Sequence, residues 1–232
     1  MSRCLFVANR TKKEWSRNFK YCLVIASDAQ LDKFNLDIIK MIKSRKDLKH
    51  YLQEDGHRAG ITNSYIYFAK LVYGNEQAHA LRYLKILRRF EYHHNLGNSI
   101  LRVWYRIRHS RLGLKYGIHI GINTVGYGFW IPHFVGEIII GCKSMGNYCS
   151  ANGGVIVGNS GSDVNIATIG NYVKLSVGCK VYGKIDIGSH VIIAPNSVVY
   201  QSVPSHTVVA GNPANVIKTG YSLLDIYYFD KQ

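Results

Sequence analysis

The segment Ile169-Gly-Asn-Tyr-Val-Lys-Leu175-Ser-Val-Gly-Cys-Lys-Val181-Tyr-Gly-Lys-Ile-Asp-Ile187-Gly-Ser-His-Val-Ile-Ile193-Ala-Pro-Asn-Ser-Val-Val199 repeats an aliphatic residue at every sixth position. Four residues after each of these come Val173, Cys179, Ile185, Val191, Ser197 and Val203, nearly all small or apolar. A helix needs a period of 3.6 and a half-buried strand a period of 2, so neither explains a sustained period of six. A parallel β-helix does. Each hexad makes one short strand and one turn, three hexads close a triangular coil, and the aliphatic residue points inward onto its equivalent one coil away. Glycine and asparagine are expected to supply the turn conformations.

Working outward, Val125 and Ile131 continue the phase, and Met145, Ala151 and Val157 form a second set in phase. The 14 residues from Ile131 to Met145 are two more than two hexads, which predicts a bulge or small loop within residues 137–144. Asn159–Thr168 is rich in Gly, Ser, Asp and Asn and reads as a loop leaving the coil.

Composition changes where the repeat begins. The chain carries a net charge of +15, of which +14 falls in residues 1–116. Most glycines come from Gly117 onward. This predicts an α + β organisation: a basic helical domain over 1–112, a left-handed parallel β-helix over 113–218, and a tail over 219–232. Helices are expected over about 29–54, led by the capping box at Ser27-Asp-Ala-Gln30, over 76–92, and over 98–110. Arg82, Lys85 and Arg89 are read as an outer helix face, and residues 1–26 give no clear pattern. No apolar stretch approaches the ~20 residues of a spanning helix. Five scattered cysteines with no CxxC pair argue for reduced thiols and a cytoplasmic setting.

Three segments carry a family resemblance: Val125-Gly-Tyr-Gly-Phe-Trp-Ile-Pro-His133, Gly154-Val-Ile-Val-Gly158, and Val203-Pro-Ser-His-Thr-Val-Val-Ala-Gly-Asn-Pro-Ala214. With Leu81-Arg-Tyr-Leu-Lys-Ile-Leu-Arg-Arg-Phe-Glu-Tyr92, they resemble the serine acetyltransferase family of hexapeptide transferases, in particular the branch from surface-polysaccharide clusters. The resemblance implies an acetyl-CoA-dependent O-acetyltransferase working as a homotrimer, with His133 as general base. Acyl transfer to a hydroxyl needs such a base, and imidazole titrates in the right range.

The resemblance implies an acceptor and oxyanion region at Asn152, Gly153, Gly154 and Trp130, where glycines permit close approach. It places coenzyme contacts at Ala194, Ala210, Gly211, Asn212 and Lys218. No metal is expected: His119, His133, His190 and His206 show no ligand spacing.

Two departures matter. Pro132 and Ile118 stand where the family has aspartates, and Asn165-Ile166 where it has an Arg-His pair. The acceptor is therefore expected to be a saccharide hydroxyl, with those of Tyr127, Trp130 and Phe134 whose rings face the cleft as candidate sugar platforms, Phe129 packed inward in phase with the column, and L-serine as the alternative. Glu137 or Asp163 could orient His133. The basic half is expected to attract anionic substrates or the inner face of an anionic membrane, and nucleic acid is not expected, since no nucleic-acid fold motif is present.

Overall fold

The computed structural model describes residues 41–159 and 166–220, all within one unit, Asn35–Gln232. Four helices come first: α1 (Arg45–Arg58), α2 (Ser64–Val72), α3 (Glu76–Asn95) and α4 (Ser99–Tyr116). Each begins at a side-chain cap. Ser44, Asn63, Asn75 and Asn98 accept from backbone N–H groups one turn in, satisfying donors the helix leaves open. Gly117, at φ 65°, ends α4 in the left-handed conformation and turns the chain into the coil.

These helices correct the sequence reading in three places. Residues 41–44 are not helical, and the first described helix is capped by Ser44, while Ser27–Gln30 and the rest of 29–40 lie outside the described residues. Ser44, with Asp47 three residues on, is a start signal the sequence reading passed over. The short α2 was missed, because its exposed Tyr65, Ile66 and Phe68 give no amphipathic contrast. Finally, α4 runs through the expected 112–113 boundary to Tyr116.

The coil is built from three parallel sheets. One holds β1 (Ile118–Ile120), β2 (Ile138–Ile140), β5 (Ile156–Gly158), β8 (Lys180–Tyr182) and β11 (Val198–Val199). The second holds β3 (Ser144–Met145), β6 (Thr168–Ile169) and β9 (Asp186–Ile187), extended by bridges from Val125 and Val203. The third holds β4 (Ser150–Ala151), β7 (Lys174–Leu175), β10 (Ile192–Ile193) and β12 (Thr207–Gly211), closed by an antiparallel β13 (Ala214–Thr219).

Registered pairs stack predicted residues inward, joined by Ile120, Ile140 and Val209, which the period had not included. Ile120, Ile140, Val157, Val181 and Val199 form one column, and Ala151, Leu175, Ile193 and Val209 another, all buried. The same core takes in Tyr83, Leu84 and Leu87 of α3, so helices and coil share one apolar interior.

Two details depart from expectation. Residues 138–140, expected to bulge, are a paired strand. The extra residues fall instead between Ile131 and β2, in a loop at 132–137. A count from Ile131 to Met145 could not say which end held the insertion. The second departure is at one corner, where Tyr148, Tyr172, His190 and His206 adopt positive φ in place of glycine. Their rings stack at 4.8–5.3 Å, and that contact offsets the backbone strain.

Candidate functional site

The inserted loop 132–137 brings His133 over the second coil. It can pass this close because of Gly153, where a Cβ would land on the Val135 carbonyl. Gly154, at φ 77°, completes the turn. The glycine pair thus admits the histidine loop, a third role besides corner-turning and oxyanion donation.

His133, Asn152 and Gly153 together line an open groove of about 520 Å³, with Val135, Lys174, Ser176, Val177 and Pro195 along its length. The groove follows the coil axis: His133 comes from the first coil, Asn152 and Gly153 from the second, Lys174–Val177 from the third, and Pro195 from the fourth. The structure therefore brings together three of the residues singled out from the sequence. Gly154 adjoins them, and its carbonyl accepts from Lys180 Nζ. Asn152 N–H is committed to Leu175 O at 3.2 Å.

Trp130 does not belong to this group. It packs beneath the helices with Ala59, Ile61, Ala78 and Leu81, under the Arg58 guanidinium at 5.2 Å. Its place one residue before an inward Ile131 sends it to the outer face, which the helices cover. The other aromatics are also engaged internally: Phe134 against Tyr116 at 5.4 Å, Tyr127 against Tyr148 at 5.3 Å, and Phe129 in the core. None of them lines the groove.

Ala194 follows β10 and donates to Val209 O at 2.9 Å, so Ala210 is the next rung along the groove's direction. Gly211 N donates to Ser197 Oγ at 3.2 Å. Gly211, at φ 107°, and Asn212 make the turn into β13, where Lys218 stands opposite Val208 on the outermost strand. Among the described residues no group of three or more His, Cys, Asp or Glu is placed to hold a metal.

The acid that faces His133 was not foreseen. Glu76, the first residue of α3, places Oε2 3.0 Å from His133 Nδ1, and its Oε1 accepts from Phe134 N at 2.6 Å. Burial alone would raise this carboxyl, but the bonds from His133 and from the Phe134 and Val135 N–H groups bring it below its ordinary value. Glu76 is therefore ionised at neutral pH and can only accept. In the neutral imidazole, Nδ1 therefore carries the proton and Nε2 presents the lone pair.

Of the substitutes considered, Glu137 faces His119 instead, at 3.8 Å, and Asp163 lies outside the described residues. Glu76 is 57 positions from His133, and only tertiary packing joins them. The one local signal was its place after the cap residue Asn75, which reads simply as a favourable charge at a helix start.

Arg88 fixes where that helix start sits. Its fully buried guanidinium donates to Asp55 of α1 at 2.9 Å, to Glu91 at 3.2 Å, and to the carbonyls of Val125 and Gly126 on the first coil at 2.8 and 2.6 Å. The carboxylates reach back to the coil as well, Asp55 accepting from Phe129 N and Glu91 from Asn123 N. Burial alone would lower the guanidinium's pKa, but the two carboxylates more than reverse this. One cation thus locks α1, α3 and the coil into a single arrangement.

No family model matches the chain. Among curated relatives it is 39% identical over 110 residues to a serine acetyltransferase of Synechococcus elongatus, covering 47% of this chain and 45% of the relative. It is 33% identical over 128 residues to serine acetyltransferase 2 of Arabidopsis thaliana, covering 54% and 40%. A Staphylococcus aureus serine acetyltransferase is 37% identical over 111 residues, covering 47% and 52%. The chain thus spans about half the length of the curated relatives it matches.

Among solved structures, the serine acetyltransferase of Brucella abortus superposes with a TM-score of 0.58 at 22% identity, over 77% of this chain and 72% of that one. The Neisseria gonorrhoeae enzyme gives 0.56 at 22%, over 81% and 69%. A serine acetyltransferase complexed with CoA gives 0.54 at 19%, over 74% and 68%. At these identities the superpositions establish the fold. The chain is thus similar in sequence to serine acetyltransferases over about half its length, and it shares their fold over about three quarters of it.

Proposed function

We propose that the chain is an acetyl-CoA-dependent O-acetyltransferase acting on a hydroxyl, with His133 as general base and Glu76 as the acid that holds it. The observation that carries this is the Glu76–His133 pair at the mouth of the groove. With Nδ1–H held by the carboxylate, Nε2 accepts the hydroxyl proton as the oxygen attacks the thioester carbonyl. The C–O bond forms, the C–S bond breaks, and the proton passes to the departing thiolate. The ionised Glu76 stabilises the imidazolium in between. Because Asn152 N–H is bonded within the ladder, the oxyanion donor falls to the Gly153 or Gly154 N–H.

The groove fits the long arm of coenzyme A. From the Ile131 rung to the Val209 rung is four steps of ~4.8 Å, or about 19 Å of channel. Ala194 and the Ala210–Asn212 rung lie along its far end, and Lys218 follows on the closing strand. Exposed Val135 and Val177 flank the groove on its open side. This supports a homotrimer in which a neighbouring copy supplies the second wall. A monomer in sedimentation velocity would sink the shared-wall reading.

The acceptor is L-serine in the first reading, because each relative named above is a serine acetyltransferase. The preference for a saccharide drawn from the sequence loses its aromatic platforms, none of which lines the groove. It keeps one observation: among the described residues no carboxylate lines the groove, and Glu76 is already engaged by His133 and Phe134. Acetyl transfer by the purified chain to L-serine, beside nucleotide-sugar and glycan acceptors, decides between them. Turnover with none of these would overturn the activity itself.

A cytoplasmic setting at the inner membrane face is supported by α4. Ile100, Val103, Trp104 and Ile107 are exposed at helical spacing, and this helix has five Arg or Lys and no acid. Failure to co-sediment with vesicles rich in anionic lipid would remove that support.

A further inference from the structure

We propose that the groove between α1 and α3 is a second binding site, separate from the acyl-transfer groove, for the diphosphate group of a small molecule. The cavity measures about 440 Å³, within the range of small-ligand sites. Its charged lining is cationic, with Arg45 and Lys49 on one wall and Lys85 and Arg89 on the other, and Gln53, His57 and Thr62 add polar groups between them. Among the described residues no Asp or Glu lines it.

Each wall carries two like charges four residues apart, a spacing that works against its own helix. Among the described residues none of these four cations meets a carboxylate within 4.0 Å. Lys85 is half-buried and leans on the face of Tyr67 at 3.5 Å, and Arg89 donates to Lys85 O at 3.0 Å. Burial first, and Arg89 second, push the Lys85 ammonium below its ordinary value. The neighbouring Arg88 gives the contrast. Where a cation is structural, this helix surrounds it with two carboxylates. Here four converge on a cavity with none.

The ligand class follows from charge and shape. A single carboxylate would leave most of this charge unmatched, whereas a diphosphate brings two to three negative charges within a few ångströms. Leu48, Leu52 and Ile61 provide an apolar floor for the group it is attached to. The two grooves share no residue. Lys85 lies nine residues beyond Glu76 on α3, which is two and a half turns, so it stands on the opposite side of the helix and about 13 Å along it.

Calorimetric titration of the full chain in about 50 mM salt, with inorganic pyrophosphate and with ADP, tests this. One saturable equivalent of pyrophosphate is expected, weakened at least about tenfold by Lys85→Gln/Arg89→Gln and unchanged by His133→Ala. ADP binding as tightly as pyrophosphate assigns the site to nucleoside diphosphates, and pyrophosphate binding alone assigns it to the free anion. Arg45 and Lys49 are exposed at the start of α1, so Arg45→Gln/Lys49→Gln tests the opposite wall without endangering the fold. An equal loss there sustains the proposal. No pyrophosphate binding to the unmodified chain, or full binding in either double variant, overturns it. The readout is heat of binding, so failure here and failure of acetyl transfer are separate results.

Discussion

The coil and the helical half of this protein are held by different forces. In the coil every rung repeats the last: an aliphatic residue inward, a parallel ladder on each face, a corner turn. Losing one rung's side chain removes apolar contact but leaves the design intact. The helical half has no repeat. Its position rests on unrepeated contacts: the packing of Tyr83, Leu84 and Leu87 into the coil's core, and one buried guanidinium with the two carboxylates and two carbonyls it touches. The proposed chemistry needs both, since the coil carries the base and the helix delivers the acid that orients it. Redundancy therefore protects the fold, while the site rests on a few unrepeated contacts.

The sharpest test is His133→Ala. Transfer should fall roughly 10²–10⁴-fold with an unchanged melting curve, because the side chain is mostly exposed and holds little of the core. Near-normal turnover would move the base elsewhere. Next comes the difference between the two halves. Arg88→Ala leaves Asp55 and Glu91 buried without their cation and should cost about 3–5 kcal/mol in denaturant unfolding. Leu175→Ala, in the coil column, should cost about 2–5 kcal/mol. The distinguishing readout is kcat in the fraction still folded. It should drop for Arg88→Ala, where α3 loosens, and hold for Leu175→Ala. Equal kcat in both would break the distinction drawn here.

Glu76→Gln should lower kcat by roughly 10–10²-fold with little change in KM, less than the ~10⁴ of a fully buried orienting acid. An unchanged kcat would reduce Glu76 to a loop anchor. The pH dependence has a definite sign. The folded carboxyl lies below its unfolded value of 4.5, so the stability it contributes is fully present above that pH and is lost as pH falls through the folded value. The stability gap between the chain and Glu76→Gln should therefore close in acid, as pH falls through the folded value. A gap that persists undiminished there would contradict the ionised assignment. Smallest of all, His190→Ala should leave transfer within about twofold while lowering stability modestly, about 0.5–1.5 kcal/mol for its lost ring stacking.

The period of six was enough to predict the coil, its inward residues and its strand direction, because stacking imposes the same requirement at every rung. His133 was singled out through the resemblance of the segment Val125–His133, and Asn152-Gly153 through its glycines; the structure places all three on one groove. What the sequence could not show has a common cause. The insertion at 132–137, the burial of Trp130, the Arg88 cluster and the four-cation groove all depend on contacts between residues tens of positions apart. Glu137 and Asp163 were the acids offered as partners for His133; Glu137 faces His119 and Asp163 lies outside the described residues. Periodicity is a local property, and one chain carries it in plain view. The meeting of Glu76 with His133 exists only once α3 has packed onto the first coil, and there the folded geometry alone decides which acid serves the base.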